Sequence, residues 1–343
     1  MEIGKQIKTL RLRKGATQEA LADHLGVTAQ AVSKWERGTA SPDISLLPIL
    51  SAFFGVTIDE LFALSDDTRM ERIQNMLWDV RFLNPADADH ERQFLLEKAR
   101  REPENGRPLE LLAELENHLA NEHRTHAAEY ARKALHRDQN LGNVHGELKE
   151  SMGGWCKDWA YNNHSELIAF YKDYLQTHPD CKNAYLHLLD NLLDDFRLTE
   201  ARAYLDRYAK LDSTYRIPLY RGLIDWFAGN RDEAFAVWNQ MEQDFPDNWC
   251  VYQNIGDFLV RSERYTEAIP YYRRALAVMD HPRWCDPIES IAQVYELMGD
   301  IPAAIAAWNE ELTMFETEWE FTTGETADVV HRHIVRLEEK LRK

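Results

Sequence analysis

Apolar positions in the first part of the chain return at three- and four-residue intervals, punctuated by glycines and hydroxyl residues. Ile3, Ile7 and Leu10 predict a helix that Gly15 ends. Thr17 offers an N-cap hydroxyl to Gln18–Leu25, whose inner face is Leu21, Ala22 and Leu25. Gly26 follows, where a tight turn calls for positive φ. Thr28 caps a helix over Ala29–Arg37, with Val32 and Trp35 inside. Ser45 predicts the cap of a fourth helix carrying Leu46, Leu47, Leu50 and Phe54, and Pro48 is tolerated in its first turn. Thr57 and Glu60 spell a capping box for a last short helix, Ile58–Phe62. Residues 1–64 therefore read as one small helical bundle. Ala22, Gly26 and Val32 supply a small residue, a turn glycine and an apolar lock, which two helices crossing steeply through a short turn require.

Beyond this bundle the pattern stays helical but acquires a longer period. Leu167, Ala201, Ala234, Ala268 and Ala304 occupy equivalent places, separated by 34, 33, 34 and 36 residues. Four positions after each stands a bulky side chain: Tyr171, Leu205, Trp238, Tyr272 and Trp308. Twelve positions before the last four stand Leu189, Gly222, Gly256 and Ala292, mostly small. Such a rhythm predicts helix pairs that cannot bury their apolar faces alone and so stack on one another, small residues allowing close packing and bulky ones plugging into the neighbouring pair. The stretch 141–163 breaks the period with Gly142, Gly146, Gly153 and Gly154. Ser65-Asp66-Asp67 reads as a polar hinge, 69–101 as a connecting helix pair and 325–341 as a capping helix. The expected division is 1–64, a linking segment 65–106 and a repeat domain 107–343, all of it α-helical.

Charge changes the picture. The chain carries a formal -18, yet residues 1–64 hold seven Lys/Arg against seven Asp/Glu. Within 1–37 Lys5, Lys8, Arg11, Arg13, Lys14, Lys34 and Arg37 outnumber four acids. A phosphate backbone is drawn to this end and repelled by the rest. No apolar run is long enough to span a bilayer and the N-terminus lacks a secretion signal, so a cytoplasmic protein without membrane contact is expected. Cys156, Cys181, Cys250 and Cys285 form no CxxC pair, which suits a reducing compartment.

TQEALADHLGV, TAQAVSKWERG and SPDISLLPILSAFFGVTIDELF resemble, together and without a gap, the phage-repressor (Xre/Cro-like) helix-turn-helix family over residues 3–62. The resemblance implies that the second helix of the motif enters the major groove of double-stranded DNA. It places Thr28, Ala29, Gln30, Ser33 and Lys34 on the DNA-facing side of that helix, with Arg37 at its end. It makes Gln18 a phosphate contact that also braces the recognition helix, and it makes Arg11 and Glu36 a structural ion pair. Gln30 suits adenine N6/N7, and Lys34 suits guanine O6/N7 or a phosphate. Ala29 departs from the polar residue common there and offers only a methyl to thymine.

The 34-residue rhythm resembles the tetratricopeptide repeat family, most closely over 182–315, more loosely over 107–140 and least over 141–163. The combination resembles peptide-responsive transcriptional regulators of Gram-positive bacteria. That likeness implies a homodimer whose repeat groove takes a short peptide or a partner protein. By repeat phase, Asn183, Asp190, Gln253, Asp257 and Gln293 face the groove. Two alternatives stand beside this reading: a repeat domain that only docks a protein, and an adaptor whose head no longer binds DNA.

No catalytic constellation accompanies these features. GxGxxG, GxxxxGK[ST] and GxSxG are absent. Asp194-Asp195 and Glu310-Glu311 are ordinary for so acidic a chain. Cys181, Cys250 and Cys285 keep nearly the same repeat phase, as packing residues do. His118, His123, His126 and His136, like His331 and His333, lack the spacing of a zinc box and read as solvated. Neither an enzyme, a metal site nor a cofactor is expected.

Overall fold

The computed structural model describes residues 3–62, 66–138, 140–154 and 158–342. Among these residues every regular element is a helix, as the periodicity requires. The chain divides into two units, Met1–His123 and Arg124–Lys343.

The first unit opens with α1 (Ile3–Arg13), α2 (Gln18–Leu25), α3 (Ala29–Glu36), a 3-10 turn (Ile44–Leu46), α4 (Leu47–Phe54) and α5 (Ile58–Phe62). Ile7, Leu21, Val32, Leu50 and Leu61 are fully buried at their centre. The caps fall where hydroxyls stand: Thr17 Oγ1 accepts from the Ala20 amide and Thr28 Oγ1 from the Ala31 amide. Thr57 and Glu60 exchange hydrogen bonds as a capping box. One expectation is corrected here. Ser45 does not cap α4: Asp43 caps the 3-10 turn that precedes it, its carboxylate accepting from both the Ser45 amide and the Ser45 hydroxyl, and α4 begins after Leu46 with no side-chain cap.

α6 (Asp66–Asp79), α7 (Pro85–Arg101) and α8 (Arg107–Arg137) follow. Met70, Ile73, Leu77, Leu95, Leu111 and Leu115 form their shared core. Asp66 and Asp67 are not hinge residues; they open α6, where acidic side chains favour the helix N-terminus. Ser65, the first residue of the expected hinge, lies outside the described residues. A second difference concerns 107–140, where the repeat rhythm predicts a helix pair. Residues 107–137 form one continuous helix, since ENHLANEHRTHAAEY holds neither a glycine nor a proline to break it.

In the second unit α9 (Gly142–Ser151) and α10 (Trp159–Asn162) occupy the irregular stretch, and Cys156 between them lies outside the described residues. α11 (Ser165–Thr177) then packs on the first of four antiparallel pairs: α12 (Lys182–Asp194) with α13 (Leu198–Tyr208), α14 (Arg216–Phe227) with α15 (Arg231–Asp244), α16 (Trp249–Arg261) with α17 (Tyr265–Val278), and α18 (Asp286–Met298) with α19 (Ile301–Glu318). α20 (Glu325–Leu341) covers the last pair with Ala327, Val330 and Leu337.

The repeat anchors divide according to position in this stack. Ala201, Ala234, Ala268 and Ala304 are completely buried, whereas Leu167 on α11 is 43 % exposed. Where each later anchor packs against the first helix of its own pair, α11 has only the irregular stretch before it. The bulky residues also act differently from the expectation. Trp238 seats on Gly222 of its own pair, as Tyr272 does on Gly256. Only then does Trp238 reach the next pair, stacking on Phe258 at 4.4 Å between centroids. A Cβ at Gly222 would stand 2.1 Å from Trp238 Nε1, which no rigid indole accepts. Gly222→Ala is accordingly expected to cost about 1–3 kcal/mol by overpacking, read as a lower urea midpoint with an unchanged slope.

Candidate nucleic-acid interface

The outer face of α3 is built by exclusion. Val32 and Trp35 turn inward, so Gln30, Ser33, Lys34 and Arg37, spaced three and four apart, turn outward together. Thr28, Gln30, Lys34 and Arg37 are exposed, and Ala29 and Ser33 are partly so. The end of the helix is held from outside: Arg37 Nε donates to the Ser33 carbonyl at 3.1 Å and Thr39 Oγ1 to the Lys34 carbonyl at 3.1 Å. Gln30, Ser33, Lys34 and Arg37 thus share one polar, cationic surface, and Thr28 stands exposed at the start of the helix.

Beneath this surface lies a buried charge network. Arg11 Nε donates to Glu36 Oε1 at 2.6 Å and Arg11 Nη2 to Glu36 Oε2 at 2.9 Å, the two-pronged geometry of guanidinium on carboxylate. Arg11 Nη1 reaches the Ala16 carbonyl at 2.8 Å. Gln18 Nε2 donates to Glu36 Oε2 at 2.7 Å. Burial alone would raise the Glu36 carboxyl, but the hydrogen bonds from Arg11 and Gln18 outweigh it and hold Glu36 below the usual carboxylate range. One arm therefore ties α1, α2 and the end of α3 together. A primary amide has two N–H donors, so Gln18 keeps its second one while the first fixes its orientation.

Gly4 is a residue that sequence reasoning passed over. A Cβ there would lie 1.8 Å from the Trp35 carbonyl oxygen, so α1 and α3 approach backbone to backbone. Nothing local marks it: the glycine sits inside an ordinary helical pattern. Among the other basic residues, Lys14 is occupied, its ammonium 4.8 Å from the Phe53 ring centroid and bonded to the Phe53 carbonyl.

The repeat-groove residues separate. Asp190 and Asp257 line one concavity of 280 Å³ with Asp194, Phe227, Asn254 and Arg261, on the first helices of three successive pairs. Tyr220 Oη donates to Asp190 at 2.5 Å, and Tyr272 Oη donates to Asp257 at 2.8 Å. Burial raises both carboxyls. Gln253 Nε2 bridges Asp257 at 3.2 Å and Ser290 at 2.9 Å, leaving its buried Oε1 without a partner. Asn183 and Gln293 are exposed and do not line this concavity.

Two of the acids in the Asp194-Asp195 and Glu310-Glu311 pairs are buried. Asp195 accepts from the backbone and ring of His164, and Glu311 is wholly enclosed. Two histidines also depart from the solvated reading. His118 has a buried Nε2 without a hydrogen-bond partner, and His333 stacks on Trp308 at 4.5 Å.

A bundle of this geometry followed by stacked helix pairs defines a helix-turn-helix protein with tetratricopeptide repeats. A helix-turn-helix family model matches residues 7–61, and a tetratricopeptide repeat model matches residues 251–278. The HTH-type transcriptional activator BcrR of Enterococcus faecalis is 46 % identical over 63 residues, 18 % of this chain and 31 % of that protein. An uncharacterized HTH-type transcriptional regulator of Methanocaldococcus jannaschii is 37 % identical over 62 residues, 18 % of this chain and 94 % of that one. The chain belongs to the helix-turn-helix family of transcriptional regulators. It spans less than a third of the length of BcrR. A tetratricopeptide repeat protein from Parabacteroides merdae, of known crystal structure, is 14 % identical over 80 % of this chain and 98 % of that one, with a TM-score of 0.40.

Proposed function

We propose that the protein is a sequence-specific DNA-binding regulator of transcription, acting as a homodimer whose repeat domain senses a peptide or protein ligand. The observation that carries this reading is the outward face of α3, cationic and polar, on a helix whose base is clamped by Arg11, Glu36 and Gln18. Clamping matters because base readout needs side chains held in register with the groove edges. In this reading Gln30 and Lys34 read bases or phosphates, Thr28, Ser33 and Arg37 position the helix on the backbone, and the free N–H of Gln18 reaches a phosphate. Two heads on a two-fold axis would meet half-sites about one helical turn apart.

For the ligand, support comes from the concavity holding Asp190, Asp194 and Asp257 beside Phe227 and Phe258. Carboxylates next to aromatic walls favour a peptide with a basic and an apolar residue. Such a ligand acts on the heads only if it prefers one curvature of the array.

Selection from random duplexes is expected to enrich a two-fold site, and Lys34→Ala to weaken that site by about 1–3 kcal/mol. Failure of any motif to emerge at low salt points instead to an adaptor. In thermal-shift assays against short cytoplasmic peptides, a true ligand at ~100 times its dissociation constant adds about 2.7 kcal/mol. Silence toward peptides, with a folded partner recovered, points to protein docking.

A further inference from the structure

One side-chain cluster belongs to neither the head nor the groove. Cys285 stands immediately before α18, Glu289 one turn into it, and Glu311 opposite on α19. The Cys285 sulfur and the two carboxylates approach within 4.8 Å of one another, with Cys285 Sγ 3.7 Å from Glu289 Oε1. Glu311 is completely buried, and neither of its carboxylate oxygens has a hydrogen-bond partner. A bare carboxylate in such a place is strongly disfavoured, and the adjacent Glu289 adds like-charge repulsion. Burial, then Glu289, holds the Glu311 carboxyl well above the ordinary carboxylate range. Protons meet part of this cost. They do not explain why a thiol and two carboxyls converge from two helices.

We propose that Cys285, Glu289 and Glu311 bind a divalent transition-metal cation, with Zn²⁺ as the best fit. Zinc bonds of about 2.3 Å to sulfur and about 2.0–2.2 Å to oxygen set tetrahedral edges of roughly 3.5 Å. The sulfur-to-oxygen separation already matches such an edge, and small rotations of the glutamates close the rest. A thiolate among the donors selects against Mg²⁺ and Ca²⁺. Cys285 and Glu289 are only half-buried, which leaves a side open for entry and for water as fourth ligand. On binding, the cation replaces the protons held by the three groups, which pass to solvent. No other group of three such ligands converges among the described residues. The site would pin together the two helices of the last repeat pair.

The test uses the full-length chain, stripped with a chelator and titrated with Co²⁺ as a spectroscopic stand-in. One equivalent is expected to produce a near-ultraviolet thiolate-to-cobalt band with visible bands of tetrahedral strength, all displaced by Zn²⁺. Cys285→Ser should abolish the charge-transfer band. Glu311→Gln should weaken Co²⁺ by at least about tenfold, the loss that changes even outside the ligand set commonly bring. Glu289→Gln, at a half-exposed position, repeats that measurement should Glu311→Gln fail to fold by circular dichroism. No thiolate band at millimolar Co²⁺, a band surviving in Cys285→Ser, or unchanged affinity in the folded glutamine variants would overturn the proposal. DNA binding by the head is measured separately and does not depend on the outcome.

Discussion

Glu36→Ala is expected to destabilise the N-terminal bundle by about 3–5 kcal/mol, the usual cost of stranding one member of a buried ion pair. Arg11 would keep its bond to the Ala16 carbonyl but lose both contacts to carboxylate. Gln18 would lose the acceptor that orients it, so DNA binding should fall together with stability. Hydrogen exchange of α1–α3 amides in the full-length protein measures the effect. Replacing both partners by apolar residues, as Arg11→Met with Glu36→Leu, should recover much of the stability, because no charge is then left buried alone. It should not restore the fixed Gln18, which separates the clamp's role in folding from its role in DNA binding. The same pair ties the head to pH. Glu36 is held below its ordinary value, so its contribution is complete above about 4.3 and is lost as pH falls further.

Trp238→Ala should cost about 3–5 kcal/mol in the repeat domain. The indole is fully buried, donates to the Leu219 carbonyl at 3.2 Å, and touches both Gly222 and Phe258. Its removal opens a cavity between two helix pairs. The urea midpoint should drop accordingly. In that background Gly222→Ala should cease to be destabilising, since its Cβ no longer meets a ring. A double-mutant cycle measures the coupling, and additive effects would show that the glycine answers to something other than the indole.

Much of this architecture was legible without coordinates because its signals are local. Caps at Thr17, Thr28 and Thr57, the turn at Gly26 and the buried alanine anchors all depend on residues within a turn or a repeat, and the structure places them as expected. The inward side of α3, Val32 and Trp35, followed from helical spacing, whereas the choice of DNA-facing residues came from the family resemblance. Where reading failed, the missing information was spatial. Ser45 does not cap α4 because a 3-10 turn capped by Asp43 runs directly into it, and residues 107–137 remained one helix where the turn of a helix pair was expected. Leu167 has the phase of an anchor but stands exposed, since phase does not say whether a partner helix is present.

What the sequence by itself determined is the helical class, the helix-turn-helix head and the period of the array, for hydrogen bonding and capping act within a few residues. The tertiary structure alone decided that Gly4 lies under the Trp35 carbonyl, that Gln18 spends a donor on Glu36, and that Glu311 is enclosed beside Cys285 and Glu289. Each of these results from helices meeting across tens of residues. Distance and burial between such helices follow from how their surfaces pack, which no short window of the chain records.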